Sequence, residues 1–356
     1  LLQFCVGVYA FFYFNMSKNK FQEIQELGFS ALIEKFKSYT GIDHSSIIKG
    51  IGDDCSVSAQ REGFLTCTTT EIFLEGVHFD LTYTPFHHLG YKIVTAAVSD
   101  IYAMNAIPEQ VLVSIAIPNR YSVQMMEQIY MGIDAACKDY EIKLAGGDTT
   151  ASHQILSISV TAVGSVHEKD IIYRKGAQKG DIICVTGDLG GALAGLRILL
   201  REKQSWQESD QELFSPDLEQ YEVVVQRQLV PKARKDFVDA IHQSDIRPNA
   251  MIDLTQGLIA ELREIGKSSN CGIELYSPAI PISLETRAVA DEMSEDVDKY
   301  AFYGGEDFEM LFTIPEPIVE KMMAEFDDFV VIGRITDKEK MLTINTGEDK
   351  SYQIEI

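Results

Sequence analysis

Apolar positions along the chain follow two spacings, one helical and one strand-like. From Phe21 to about Tyr39, Ile24, Leu27, Ala31, Leu32 and Phe36 recur three or four apart and predict a helix. Residues 64–74 alternate and are rich in Thr, Ile and Phe, which predicts a strand. Helical spacing returns over about 87–104, with Leu89, Ile93, Ala96, Ala97 and Ile101 on one face. The β-branched run 109–117 lies between Pro108 and Pro118 and predicts a strand, and the helix after it has Ser122 as N-cap. A short strand at 143–145 then runs into a glycine turn at Gly146, Gly147 and Asp148, and ILSISVTAVGSV supplies another strand.

The second half begins afresh with the strand DIICVTG, a turn GDLGG and the helix ALAGLRILLRE. Helices follow over about 222–243 and 256–268, then the strand GIELYS, a helix at 283–293 and a strand and turn in AFYGGEDFEMLFTI. A helix at 316–326 and the strands FVVIGRI, MLTIN and SYQIEI complete the pattern. Strands and helices mix without strict βαβ alternation, so the expected class is α+β, built as two mixed α/β domains. The polar, locally basic segment HEKDIIYRKGAQKGD places the boundary near 168–175, giving an N-terminal domain over 16–168 and a C-terminal domain over 169–356.

The opening LLQFCVGVYAFFYF is apolar but short for a membrane span, with no basic stretch before it and no A-x-A-like cleavage site after it. Polar sequence starts at Met16, so residues 1–15 read as an extension outside the fold; an amphipathic anchor or a partner-binding strand is the alternative.

Charge narrows the function. Fifty-four acidic residues against 31 basic ones leave −23, which repels nucleic acid and anionic membrane over most of the surface. An anionic substrate must then be met by metal ions or by a local basic patch. Six cysteines without a C-x-x-C pair point to reduced thiols in a cytoplasmic protein rather than to a disulfide framework or a zinc site.

The chemistry concentrates at acids beside glycines. Gly50, Gly52, Asp53 and Asp54 form a turn, and Thr68, Thr69, Thr70 and Glu71 follow on the strand; together they offer the hard oxygen donors that Mg²⁺ prefers. The same theme recurs at Gly147-Asp148, at Gly187-Asp188 and at Gly305-Glu306-Asp307, while Asp253 precedes a predicted helix. Each alone reads as a cap or turn, but several in one acidic chain suggest a shared magnesium cluster able to hold a polyphosphate. Gly187, Gly190 and Gly191 could present helix N–H groups to phosphate, although the spacing is not that of a P-loop. Arg174 and Lys175 put positive charge at the domain boundary. His78 could contact a substrate phosphate; its spacing favours a backbone bond at a strand end.

In order, GIGDDC, TTTEIFLEGVHFD, HLGYKIVTAAVSDIYAMNAIP, LAGGDTT, YRKGAQKGDIICVTGDLGGALAGL, AMIDLTQGL and YGGEDFEMLFTIP resemble the signature blocks of thiamine-monophosphate kinases, in the superfamily that includes aminoimidazole ribonucleotide synthase. The resemblance implies a homodimer whose N-terminal domains pair their sheets. It also implies Mg²⁺-dependent transfer of the γ-phosphoryl group of ATP to thiamine monophosphate, directly and in line. By motif position the metal ligands would be Asp54, Thr69, Thr70, Glu71, Asp100, Asp148 and Asp253. Nucleotide contacts would fall on Tyr130, Gly147, Asp148, Arg174 and Thr255, with Asp148 and Arg174 catalytic, and substrate contacts on His78 and Glu306. Two positions depart from the family pattern: Glu71 stands where an Asp is usual, and Gln256 where D-x-S-D-G-L has its second Asp. An ATP-dependent synthase on the same scaffold, or a nucleotide-binding dimer without turnover, is the alternative reading.

Overall fold

The computed structural model describes residue 31 and residues 47–61, 63–209, 216–337, 341–347 and 350–356. The expected extension at 1–15 and the helix expected over 21–39 lie outside them, apart from Ala31, which is helical.

At the centre is α1, Phe86–Ala103, in which every residue from Leu89 to Ala103 is buried. A helix that is apolar nearly all round must be covered on every side, so the three polar residues that matter later, Lys92, Ser99 and Asp100, are held in the interior. Helix α2, Val123–Asp139, capped by the Ser122 hydroxyl on Met125 N, crosses α1 at glycines. A Cβ on Gly90 would sit 2.0 Å from the Ile129 carbonyl oxygen, and one on Gly132 would sit 1.9 Å from that of His87.

Both helices cover one face of a six-stranded sheet in the order β1-β2-β3-β6-β4-β5. Its strands are β1 Ile47–Lys49, β2 Ser56–Arg61, β3 Phe64–Leu74, β4 Ile107–Pro118, β5 Lys143–Ser152 and β6 Ser157–His167. Alternation decides the two faces: Leu65, Cys67, Thr69 and Phe73 of β3 point to the helices with Ile158, Val160 and Ala162 of β6, while Thr70 and Ile72 point away. The pairings are antiparallel except β4 with β5, which are joined through α2 as one βαβ unit. The short strand expected at 143–145 runs on through Gly146, Gly147 and Asp148 to Ser152. Parallel pairing with β4 holds these glycines extended, and Gly147 lies so close that a Cβ would fall 1.8 Å from the Val113 carbonyl oxygen.

The second sheet has seven strands in the order β13-β12-β9-β11-β7-β10-β8. These are β7 Ile182–Thr186, β8 Ala250–Asp253, β9 Gly272–Tyr276, β10 Met310–Ile314, β11 Phe329–Thr336, β12 Met341–Gly347 and β13 Lys350–Glu355. Only β9 and β12 pair in parallel. Around the sheet lie α3 Gly191–Glu208, α4 Glu222–Leu229, α5 Lys235–Gln243, α6 Leu258–Ser269, α7 Leu284–Met293, α8 Asp298–Tyr303 and α9 Val319–Glu325. The single helix expected over 222–243 is broken into α4 and α5 around Pro231, whose ring and missing N–H do not allow the helix to continue. The strand β8, four residues long, is too short for its alternation to be read. Two mixed sheets with flanking helices make the protein α+β, as expected, and Ser46–Ile356 form one compact unit. One apolar core joins Val57, Ile93, Val113, Ile158, Phe237 and Phe312, so elements of both sheets share it.

Candidate functional site

Three carboxylates from distant parts of the sequence meet beside α1. Asp54 comes from the β1–β2 turn, Asp100 from the last turn of α1 and Asp253 from the end of β8; one oxygen of each lies within 4.8 Å of the others. Their exposures are 8%, 9% and 2%. Pairs of like charges at this spacing repel by about 3 kcal/mol at an effective dielectric near 20. Burial raises the pKa of all three, well above the usual carboxylate range for Asp100 and Asp253, and repulsion from neighbouring carboxylates adds to it, from Asp53 in the case of Asp54. Asp100 accepts from the Thr69 hydroxyl at 2.5 Å, and Asp253 from the Ser99 hydroxyl at 2.5 Å. These neutral donors orient the carboxylates without balancing their charge.

The cationic partner in contact is Arg174, whose Nε and Nη2 grip Asp54 at 3.1 and 2.7 Å. Its backbone N–H also reaches Asp53, which pairs with Lys49 at 2.9 Å. Two more acids deepen the excess. Glu71 lies on the helix side of β3 close enough to raise the pKa of Asp100, and its own pKa is raised by burial. Glu261 of α6 is 3% exposed, with its pKa pushed up to about 7 by burial; it accepts from Gln256 N at 3.0 Å and Thr255 Oγ1 at 3.4 Å. The sequence pattern missed Glu261 because an acid one turn into a helix is ordinary there. A buried set of hard oxygen donors with fewer cations than carboxylates is the chemistry that a Mg²⁺ ion fits.

Not every expected ligand joins the trio. Asp54, Thr69, Glu71, Asp100 and Asp253 converge. Thr70 points to the other side of β3, where its hydroxyl meets Thr161 at 3.0 Å and Ser159 at 3.3 Å. Asp148 is exposed on β5, in the row Asp148, Ser114, Ser159 and Ile72 that crosses the same open face. Strand alternation is the reason, since adjacent residues of β3 must face opposite ways. Tyr130 lies on the outer side of α2 and is 37% exposed. Gln256 is exposed, and only its backbone N–H touches the site's acids.

His78 and Glu306, the two expected substrate contacts, line one cavity of about 170 Å³. His78 Nδ1 accepts from the Leu74 backbone N–H at 3.0 Å, the strand-end bond that its spacing favours. Glu306 has a positive φ of 56°, in a segment tied to the loop after β8 by Glu306 N to Thr255 O at 3.0 Å and Phe308 N to Leu254 O at 3.0 Å. Lys92 lines the same cavity, and nothing in its helical spacing marks it.

The glycine turn into α3 differs from expectation. Asp307 is 3% exposed and accepts from Gly190 N at 2.8 Å and Ala192 N at 3.2 Å. The first N–H groups of the helix are thus met by the chain's own carboxylate and not left for a phosphate.

Residues 52–166 match the AIR synthase related protein N-terminal domain, and residues 178–343 match its C-terminal domain. The thiamine-monophosphate kinase of Aquifex aeolicus is 32% identical over 89% of this chain and 94% of its own length. That of Bacillus subtilis is 30% identical over 88% and 93%. This chain belongs to the thiamine-monophosphate kinase family. A solved structure described as AaThiL complexed with AMPPCP and TMP superposes with a TM-score of 0.78, at 30% identity, covering 94% of this chain and 99% of that one. A second, of thiamine monophosphate kinase from Aquifex aeolicus, gives 0.74 over 91% and 98%. Membership makes the acid trio the natural place to look for a kinase's metal and phosphates.

Proposed function

We propose that this kinase transfers the γ-phosphoryl group of ATP to thiamine monophosphate, giving thiamine diphosphate and ADP, with Mg²⁺ held by Asp54, Thr69, Glu71, Asp100 and Asp253. The observation that carries the reading is the buried carboxylate trio, drawn together from residues 54, 100 and 253 with a single guanidinium in contact among the described residues. The relatives named thiamine-monophosphate kinase, and the neighbour complexed with an ATP analogue and TMP, support the choice of substrates.

Bound there, Mg²⁺ supplies neutralisation of the phosphate oxygens. The rest falls to side chains. Thr69 and Ser99 fix the carboxylate orientations, so little rearrangement accompanies phosphate binding. Arg174 stands against Asp54 with a planar fork suited to phosphate, and it aligns the nucleotide, with Thr255 the other expected nucleotide contact beside the trio's acids. The acceptor is a phosphate monoester with its second pKa near 6, a dianion at neutral pH that attacks without a protein base. Transfer is therefore direct, with no phosphoenzyme.

Thr70 and Asp148 belong to the open face of the first sheet, where Ile72 and Leu112 are 57% and 36% exposed. Apolar residues set among hydroxyls suit a second copy of the same sheet, so the working form is a homodimer. The division into domains follows the two sheets, near 168–175. Among the described residues no helix is long and apolar enough to cross a membrane, and the five described cysteines are buried thiols, which suits a reducing cytoplasm.

Product analysis of the purified protein with ATP, Mg²⁺ and thiamine monophosphate tests this reading. One thiamine diphosphate should form per ADP. ADP release independent of thiamine monophosphate would overturn it, and protein labelled from γ-labelled ATP would overturn direct transfer.

A further inference from the structure

Two cations have a claim on one carboxylate. Arg174 covers both oxygens of Asp54, with Nη2 on Oδ1 at 2.7 Å and Nε on Oδ2 at 3.1 Å, and Asp54 belongs to the trio proposed to hold Mg²⁺. Each oxygen keeps a second lone pair, but a guanidinium and a dication on one buried carboxylate repel each other with little solvent to screen them. Arg174 therefore loses its hold on Asp54 when an ion is bound there. A guanidinium this far from water needs another carboxylate to stand against, and the neighbouring Asp53 is already paired with Lys49 at 2.9 Å.

Glu261 is that carboxylate. It is 3% exposed in the first turn of α6, where Oε1 accepts from Gln256 N and Thr255 Oγ1, while Oε2 has no hydrogen-bond partner among the described residues. Helix α6 also holds the Arg174 backbone near its other end. The Ser269 hydroxyl donates to the Arg174 carbonyl at 3.4 Å and accepts from Gly176 N at 3.1 Å and Ala177 N at 3.2 Å. Glu261 lies eight residues before Ser269, about 12 Å along the axis, so α6 runs beside Arg174 from its backbone toward the acids. Burial opposes the Arg174 charge, and Asp54 and then Glu261 favour it, ahead of Asp53. Nη1 makes no hydrogen bond among the described residues and the side chain is 21% exposed, which leaves that edge of the guanidinium for a phosphate.

We infer that Arg174 is shared between two carboxylates and that Glu261 is its second seat, taken when a divalent ion occupies Asp54, with the open edge of the guanidinium turned to the nucleotide phosphates. Glu261 is a positioning residue that acts through Arg174. In the absence of nucleotide, Arg174 and the metal compete for Asp54. The inference rests on the proposed Mg²⁺ and ATP sites, and it adds that competition and the role of Glu261.

Two binding measurements test it. For Mn²⁺ alone, used in place of Mg²⁺, Arg174→Gln should bind about tenfold more tightly than wild type. Lys49→Met, which removes a positive charge from Asp53 but leaves the clamp on Asp54, should gain less than about threefold. For a non-hydrolysable ATP analogue at saturating Mg²⁺, followed by calorimetry, Arg174→Gln and Glu261→Gln should each weaken binding by about tenfold, and the double variant should bind no more weakly than Arg174→Gln, because Glu261 acts through the guanidinium. The KM for ATP should rise in Glu261→Gln while the KM for thiamine monophosphate stays. Glu261→Asp, which keeps the charge one methylene back, covers the case in which Glu261→Gln does not fold; its smaller loss should likewise vanish in the Arg174→Gln background. Weaker Mn²⁺ binding by Arg174→Gln would overturn the inference, since Arg174 would then hold Asp54 for the metal, and so would losses of nucleotide affinity that add in the double variant. Wild type that binds neither Mn²⁺ nor the analogue would instead overturn the site assignment beneath it.

Discussion

Two buried clusters of carboxylates among the described residues are built on opposite principles. Around Glu309, which is 2% exposed, Arg227 Nη1 approaches Oε1 at 2.8 Å, Arg234 Nη1 approaches Oε2 at 2.7 Å and the Thr186 hydroxyl donates at 2.6 Å. Each oxygen of that carboxylate has its own guanidinium, and Arg234 extends to Asp236 and Asp328. Around Asp100 and Asp253 the contacts are hydroxyls, and the guanidinium is spent on Asp54. The first cluster sets two guanidiniums, Arg227 and Arg234, against its two buried carboxylates, Glu309 and Asp307, and serves as scaffold. The second holds an excess that the fold leaves to be met from outside, and that imbalance, rather than the number of acids, marks a site.

The contrast can be broken most severely at Asp253. Asp253→Asn should lower the rate of thiamine diphosphate formation by about 10³ or more, because on the proposed function it would remove a ligand of the Mg²⁺ ion. The metal-free variant should melt no lower than wild type, since a repulsive charge has gone. A large fall in both would place Asp253 with the scaffold. Glu309→Ala should do the reverse. Stripping a buried ion pair of one partner costs about 3–5 kcal/mol, so denaturant unfolding should shift strongly while kcat per folded molecule changes little.

A smaller effect distinguishes the clusters through pH. Burial pushes the Asp307 carboxyl up to about 7, against Arg227 and the two helix N–H groups, whereas the unfolded chain ionises near 4. A folded pKa above the unfolded one favours the protonated form. The contribution is therefore complete below about pH 4 and is lost as pH rises through about 7. Wild type should lose stability relative to Asp307→Asn between pH 4.5 and 7.5 in unfolding titrations. A constant difference between the two would show that Asp307 is already ionised in the fold at the lower pH.

How much of this could be read from the sequence depends on the range of the interaction. Strand β3 falls at Phe64–Leu74, the residues whose alternation predicts it, and α1 at Phe86–Ala103 lies within one residue of its expected span, because both patterns are local. Only the start of β5, at 143–145, is legible, because the glycines after it read as a turn and are held extended by a parallel neighbour. The Gly-Asp turns look alike along the chain, yet Asp54 meets Asp100 and Asp253, while Asp307 caps α3 and Asp148 lies on an open sheet face. Only long-range packing separates these fates. Lys92 and Glu261 carry no signature at all, since a lysine in an apolar helix and a glutamate in a first helical turn are ordinary until their partners are known.

The most direct test of the central claim is the binding of Mn²⁺, as a spectroscopic stand-in for Mg²⁺, to metal-free protein, followed by the resonance of the free ion. Wild type should take up the ion, Asp253→Asn and Asp100→Asn should lose most of that binding, and Glu309→Gln should retain it. Equal binding by wild type and both trio variants would contradict the account, because the excess charge beside α1 would then not be what holds the metal.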